Sequence, residues 1–358
     1  MMMKIKIESS QLKEALSVLK RTTTTRSPLT VLENVLLQGE GSSLTLMTTN
    51  LVAGIRTTIP AEVKRPGATT VSVSRLLAII GPIDEEIDLV LDEKTETLKL
   101  AWGKSKAQIK GIPAIEMPPF PKMPEELADI PAPEIRLGIQ RTIHAALTDE
   151  SRIQLNGLLF RMKGGILTIA GADGFRMAEA QTSVDAKGDM EIIVPLQIVG
   201  ILNQILDDKV SIGQNEKNIF VHTDKYDLAA VSINADYPPY EQIIPNHPHK
   251  TVVSSERLLK LLAQAEVYAK EGDGSVSLSC KNGELTVSAE SAELGNIDVV
   301  IEAEGDDMRL RCNVVYLREA LNAIKTHKVE FSHNGAKTPI LVTPWKDTGN
   351  RQVIMPMV

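Results

Sequence analysis

RIQLNGLLFRMKGGILTIAGADGFRMAEA, residues 152–180, reads as strand, turn, strand and then an exposed loop. Leu155, Leu158 and Phe160 run into Lys163-Gly164-Gly165, and Leu167 and Ile169 follow. Apolar and β-branched runs broken by a Gly pair are a hairpin signal. The hairpin empties into Ala172-Asp173-Gly174-Phe175-Arg176-Met177, where an Asp-Gly turn presents an aromatic ring, a base and a thioether. A large apolar side chain at such a turn is expected to stay partly in solvent, as a contact surface.

The pattern occurs twice more. Val31 to Leu37 leads through Gly39-Glu40-Gly41 to Leu44-Thr45-Leu46 and Thr49-Asn50. Val276-Ser277-Leu278 leads through Lys281-Asn282-Gly283 to Leu285-Thr286-Val287 and Glu290-Ser291. Leu44, Leu167 and Leu285 hold matching places, spaced by about one ordinary domain and far more than a solenoid repeat. The chain therefore reads as three copies of one domain, divided into residues 1–122, 123–249 and 250–358.

Composition agrees. The chain has 358 residues, 43% hydrophobic and 24% charged, so it can bury several cores. Aromatics are only 3%, which leaves the cores to Leu, Ile, Val, Ala and Met. Two cysteines, Cys280 and Cys312, give no disulfide framework and suit a reducing, cytoplasmic setting. There is no run long enough for a membrane span, and the N-terminus lacks a signal-peptide core. A net charge of −7 argues against coating nucleic acid non-specifically but allows a local basic surface.

Helical spacing organises each copy. Ser9-Ser10 offers a cap for a helix to about Lys20, with Leu12, Ala15, Leu16 and Leu19 inward and Lys13 and Lys20 opposite. Ser72 or Ser74 caps a second helix through Ile80. Strands are expected at 87–91, 98–102 and 107–112, and the Pro-rich segment 113–133 reads as a linker. The second copy begins near Glu134, with Leu137, Ile139, Ile143 and Leu147 on its first helix and a second helix over 196–206. In the third, Ser254-Ser255 caps a helix to about Lys270; a later helix turns Leu317, Ala320, Leu321 and Ile324 inward. Basic residues recur on the outer faces: Lys13, Lys20, Arg21, Arg26, Arg75, Arg141, Arg152, Arg257, Lys260, Arg318 and Lys325. One such face is ordinary solvated surface. Repeated in equivalent places, such faces can follow a phosphate backbone without reading bases.

Several segments resemble the β sliding clamp family of bacterial DNA polymerase III, in order and across essentially the whole chain. They are residues 26–35 (RSPLTVLENV), Ser151-Arg152 with Leu155-Asn156-Gly157, and residues 172–177 (ADGFRM). Tyr237-Pro238-Pro239-Tyr240 with Ile243-Ile244-Pro245, Thr338-Pro339-Ile340-Leu341-Val342, and Met355-Pro356-Met357 are also similar. The resemblance implies an α+β fold of three tandem clamp domains, each with two helices and antiparallel sheet. It further implies a head-to-tail homodimer forming a six-domain ring around duplex DNA. The basic residues named above would face that DNA. The implied partners are the polymerase III catalytic subunit, a clamp loader and other proteins carrying a clamp-binding motif; no cofactor, metal, membrane contact or catalysis is implied.

The family's partner-peptide pocket, carried over, would be walled by Leu155, Ala172, Gly174, Phe175, Arg176, Met177, Pro238, Gln242, Ile243, Val353, Met355, Pro356 and Met357. Met-rich walls suit a groove that receives several peptides. Read without the family, the terminal Met-Pro-Met is an edge strand packed on its own sheet. Phe175 stands where the family commonly has His, Ala172 where it often has Thr, and Gln242 where a base is common; Lys337 falls on an apolar rim. These departures fit a duplicate or specialised clamp. The dimer seam would join Lys104, Lys106, Ala107 and Ile109 to Val267, Tyr268, Glu271 and Asp273, basic against acidic.

Two other classes were weighed. An enzyme lacks support, because the sequence has no P-loop, no dinucleotide Gly fingerprint and no nucleophile–base spacing. His247 and His249 have no Cys or acidic neighbour at ligand spacing. A three-domain peptide-binding scaffold that never encircles DNA keeps the repeats and the groove, and makes the basic faces incidental.

Overall fold

The structure is a computed structural model that describes residues 3–24, 27–149, 151–185 and 188–357. It divides into two compact units, Met1–Ala132 with Gly200–Ser232, and Pro133–Val199 with Ile233–Val358. Each unit holds one long antiparallel sheet.

In the first unit the strands lie in the order Ala128–Pro131, Lys209–Gln214, Asn218–His222, Tyr226–Val231, Ala53–Pro60, Ser43–Thr49, Asn34–Glu40, Gly67–Ser72, Ser105–Ile112, Thr97–Trp102, Glu86–Asp92, Lys4–Glu8 and Glu62–Arg65. Helices α1 (Ser9–Leu19) and α2 (Val73–Ile80) pack together on it. Leu12, Leu16 and Leu19 of α1 and Leu76 and Ile80 of α2 are fully buried with Ile5, Leu37, Leu44 and Leu46. Each such side chain contributes about 1.5–3 kcal/mol by leaving water. Ser72 caps α2, accepting from the Arg75 N–H. On α1 the expected Ser cap is absent: Glu8 holds the cap position, and Ser9 is buried, donating to the Ile83 carbonyl at 2.7 Å.

Two helices then lead through the middle of the chain, α3 (Ala132–Thr142) and α4 (Leu196–Ile205). The segment read as a linker, 113–133, in fact contains the strand Ala128–Pro131 and the start of α3. The inward stripe of α3 is Ile135 and Ile139; Leu137 on the same helix is exposed, as is Ile143, which was expected on this helix but follows its end.

In the second unit the order is Met190–Pro195, Gly157–Lys163, Ile166–Ala172, Arg176–Ser183, Asn350–Ile354, Ile340–Pro344, Lys328–His333, His249–Ser254, Gly295–Gly305, Glu284–Ser291, Ser275–Lys281 and Met308–Asn313. The opening hairpin pairs Lys163 with Ile166 across Gly164 and Gly165, both at positive φ, which a two-residue type I′ turn requires. Helices α5 (Ser255–Glu271) and α6 (Val314–Ile324) pack on each other. Ser254 caps α5, and the Asn313 carboxamide oxygen accepts from the Val315 and Tyr316 N–H groups. Leu258, Leu262, Leu317, Ala320, Leu321 and Ile324 close the core, together with Cys280 and Cys312. Both thiols are buried, and burial pushes the Cys312 thiol up to about 12. No described helix is long and apolar enough to cross a membrane.

Candidate functional site

The strand Arg176–Ser183, which follows the opening hairpin of the middle repeat, pairs edge to edge with the strand Asn350–Ile354, with Met177 opposite Val353 and Arg176 opposite Ile354. Leu155, Ala172, Met177 and Val353 form one buried apolar cluster with Leu159, Ala170, Ile193, Tyr237 and Tyr240. Leu147, Ile233, Ile244 and Leu341 pack against it from the side. Four wall residues expected from sequence thus form a floor. Ala172 and Met177, placed in an exposed loop by the sequence reading, are the last residue of one strand and the second of the next, and both are buried.

Over this floor stands a rim that water reaches. Phe175 is 63% exposed, Ile243 and Met355 are exposed, as are Gly174 and Gln242, and Pro238, Pro356 and Met357 are half-buried. The Met355 N–H donates to the Phe175 carbonyl at 2.9 Å, which ties the two sides of the rim. Met357 is anchored apart from them: its N–H donates to the Arg311 carbonyl at 2.9 Å, beside a concavity of about 1120 Å³. Lys337 is exposed and lines that same concavity.

Polar contacts fix the rim. The Asp173 carboxylate accepts from the N–H groups of Phe175 (2.8 Å) and Arg176 (2.9 Å), and its other oxygen from Arg176 Nε at 3.0 Å. Gly174 sits at φ +95°, a region that L side chains avoid, so the turn favours glycine there. Arg152 Nη2 donates to the Asp173 carbonyl at 2.8 Å. The Arg176 guanidinium also pairs with Glu319 and lies 4.2 Å from the centre of the Tyr316 ring. Beneath it, burial and then the Arg176 charge lower His144 to about 4. Tyr240 donates to Glu179 at 2.8 Å and meets Tyr237 edge-on at 5.9 Å; burial, then Glu179, raises the Tyr240 phenol. Tyr237 and Tyr240 were quoted only within a segment resembling the family and were not expected in the floor, although the aromatic pair in Tyr-Pro-Pro-Tyr was the available signal.

The expected DNA-facing cations have varied surroundings. Lys20, Arg21, Arg75 and Lys325 are exposed, and Lys325 closes α6 in a left-handed conformation. Lys13 pairs with Asp84 at 3.0 Å, Lys260 with Glu256 at 2.7 Å, and Arg257 approaches Glu302 at 3.9 Å. Arg141 is half-buried, and its carbonyl accepts from Gln352. Arg318 pairs with Glu266, a carboxylate that is 4% exposed and also held by Lys270 at 2.9 Å. Arg26 lies outside the described residues. Of the expected seam residues, Lys104, Lys106, Val267, Glu271 and Asp273 are exposed and Ala107 and Tyr268 half-buried. Ile109 is 3% exposed, its side chain turned into the core of its own repeat. Among the described residues no three His, Cys, Asp or Glu side chains group to hold a metal ion.

Three tandem copies of a two-helix, antiparallel-sheet domain, with an apolar floor shared by a hairpin of one copy and the last strand of the next, define a protein of the DNA-clamp class. The profile of the DNA polymerase III beta subunit N-terminal domain matches residues 3–123, that of its central domain 129–239, and that of its C-terminal domain 241–358. The beta sliding clamp of Synechococcus elongatus is 26% identical over 99% of both chains, and that of Pseudomonas aeruginosa 26% identical over 93% of both. A crystal structure of the Pseudomonas aeruginosa sliding clamp bound to griselimycin superposes with a TM-score of 0.94, at 25% identity and 99% coverage of each chain. The Bacillus subtilis clamp shares the fold, with a TM-score of 0.94 at 21% identity over 100% of each chain. The chain belongs to the DNA polymerase III beta subunit family, the sliding clamps, which are non-catalytic processivity subunits of that polymerase.

Proposed function

We propose that two copies of this chain close head to tail into a ring around duplex DNA, and that the Phe175–Met355 groove tethers the polymerase and other replication proteins by short apolar peptides. As a DNA sliding clamp it raises processivity topologically, because release then requires opening the ring. The observation that carries the tethering is the rim itself. Phe175, Ile243 and Met355 are exposed next to segments that bury Leu155, Met177 and Val353 in one apolar cluster, a combination suited to apolar anchors. Griselimycin on the Pseudomonas aeruginosa clamp adds that a relative of this fold takes a ligand. Lys20, Arg21, Arg75 and Lys325, exposed on helix ends and faces, supply a sequence-independent attraction for phosphate. The repeats divide for this purpose at 122/123 and 249/250, and the working location is the cytoplasm.

Small-angle X-ray scattering of the pure protein tests the ring. A particle of twice the 39.1 kDa chain mass with the scattering minimum of a hollow disc is expected. A monomer at micromolar concentration would refute self-closure and leave a peptide-binding scaffold.

A further inference from the structure

The joint between the first and second repeats is built like the one that carries the Phe175–Met355 groove. In the first joint the strand Ala53–Pro60 pairs antiparallel with Tyr226–Val231, setting Ala53 opposite Ala230 and Gly54 opposite Ala229. In the second, Arg176 lies opposite Ile354 and Met177 opposite Val353. On their other sides Gly54 and Met177 lie opposite Thr49 and Ala172, the last residues of matching strands. Counting from these pairs, Asn50, Leu51, Val52 and Val231 hold the places of Asp173, Gly174, Phe175 and Met355.

The polar frame is the same at both. Asn50 Oδ1 accepts from the N–H groups of Val52 (3.0 Å) and Ala53 (2.7 Å), as the Asp173 carboxylate does from Phe175 and Arg176. The Val231 N–H donates to the Val52 carbonyl at 2.8 Å, as the Met355 N–H does to that of Phe175. The turn residue is left-handed in both, Leu51 at φ +73° and Gly174 at φ +95°. The floors correspond too. Val31, Leu32, Met47 and Met117 form one buried cluster, with Leu36, Ile112 and Phe120 packed against it. Leu36 lies opposite Met47 as Leu159 lies opposite Ala170, and four residues earlier stand Leu32 and Leu155. Met117-Pro118-Pro119-Phe120, after the last strand of its repeat, has the pattern of Tyr237-Pro238-Pro239-Tyr240. Phe120 reaches the joint: its ring lies 3.6 Å from where a Cβ on Gly54 would stand, and its centre 4.7 Å from the Arg56 guanidinium.

Two features of the first joint go beyond a shared fold. A leucine in the left-handed region is uncommon, because its Cβ crowds the backbone where glycine has none. Leu51 is held there by its own N–H, which donates to Thr49 Oγ1 at 3.1 Å, and by the Asn50 bonds, yet its side chain is 57% exposed. Val52 and Val231 beside it are exposed as well. A backbone outlier that turns a large apolar side chain out beside two others does nothing for the core and marks a contact surface. The second feature is a cation. Lys217 is exposed next to Asn218, which pairs with Val231, and its carbonyl accepts from the Ser232 N–H at 3.0 Å. It has no ion-pair partner among the described residues. We propose that the Leu51–Val52–Val231 face is a second peptide-docking site. It takes an extended segment with apolar anchors two residues apart, which point to one side of the chain, and an acidic residue before them for Lys217. Valines here replace Phe175 and Met355, so this site binds more weakly than the first. The inference rests on reading the Phe175–Met355 groove as a peptide site and extends that reading to the other joint.

The test is photo-crosslinking of the full chain with the acetylated peptide EGLSFG, its phenylalanine replaced by benzoylphenylalanine, and mapping of the adducts by mass spectrometry. Adducts are expected at both joints, and excess unlabelled EGLSFG should suppress them. Val52→Asp is expected to cut the yield at the first joint at least fivefold and leave the second unchanged; Phe175→Asp should do the reverse. Lys217→Glu should lower the first-joint yield at least twofold. Leu51→Gly relieves the backbone, so the melting temperature should hold or rise while the first-joint yield falls. Adducts confined to the Phe175–Met355 groove, or first-joint adducts that Val52→Asp and Lys217→Glu leave unchanged, overturn the second site and leave the first standing. Adducts at the first joint alone overturn the Phe175–Met355 reading instead, and competed adducts at neither overturn both.

Discussion

Arg318 was expected on a DNA-facing surface, yet its guanidinium is bound to Glu266, a carboxylate buried between α5 and α6. Replacing Arg318 by Met keeps the length of the side chain and removes the charge. Stripping one partner from a buried ion pair costs about 3–5 kcal/mol. Two features reduce that here: Arg318 is about one-third exposed, and Lys270 still reaches Glu266 at 2.9 Å. We expect a loss of about 2 kcal/mol, which lowers the melting temperature of a unit this size by about 4–8 °C. Differential scanning calorimetry of Arg318→Met, Glu266→Gln and the double variant gives the coupling directly. The double variant is expected to be more stable than the sum of the singles predicts, since neither residue is then left charged and alone. A change below about 0.5 kcal/mol for Arg318→Met, with DNA association weakened, would refute the structural assignment and return Arg318 to the nucleic-acid face.

Phe175→Ala should leave the melting temperature unchanged, because the ring is exposed, and weaken an apolar clamp-binding peptide about 5–30-fold in fluorescence anisotropy; equal affinity would remove Phe175 from the groove. His144 is held neutral in the folded chain, its value lowered from 6.5 to about 4. Between those values the unfolded chain binds the extra proton, so the contribution is present above about pH 6.5 and is lost as pH falls toward 4, about 3 kcal/mol in all. His144→Gln should flatten that part of the stability profile in urea titrations, and an unchanged slope would assign it to other groups. Lys20→Ala combined with Arg21→Ala should lower the salt slope of DNA association by about two, equally for different duplex sequences. An unchanged slope takes both off the interface.

The repeat was legible because each copy contains, after its first helix, a hairpin whose turn chemistry is explicit, as at Gly164-Gly165, and because α1, α5 and α6 bury clean stripes at helical spacing. The exposure of Phe175 followed from its place beside an Asp-Gly turn. Other features depend on partners remote in sequence. Tyr237 and Tyr240 lie in a Pro-rich stretch whose composition reads as linker, and only packing on Leu155 and Met177 makes them floor. The side chain of Arg318 has the spacing of a solvated cation, and its acceptor is 52 residues away. Ile109 alternates correctly as a strand residue, but which face of its strand is covered follows from sheet order rather than from the strand itself. The same holds for the pairing of Arg56 with Asp227, 171 residues apart.

The middle repeat contributes four strands to each long sheet, and the chain passes from one compact unit to the other at 132/133, 199/200 and 232/233. A fragment ending at residue 123 would therefore strip the strand Ala53–Pro60 of its neighbour Tyr226–Val231 and leave a sticky edge. A fragment starting at 241 would do the converse, leaving Asn350–Ile354 without Arg176–Ser183. Proteolytic nicking at the repeat boundaries should accordingly yield aggregation rather than tidy single domains. For evolution, the repeats of such a chain can diverge in sequence but are hard to shuffle one at a time.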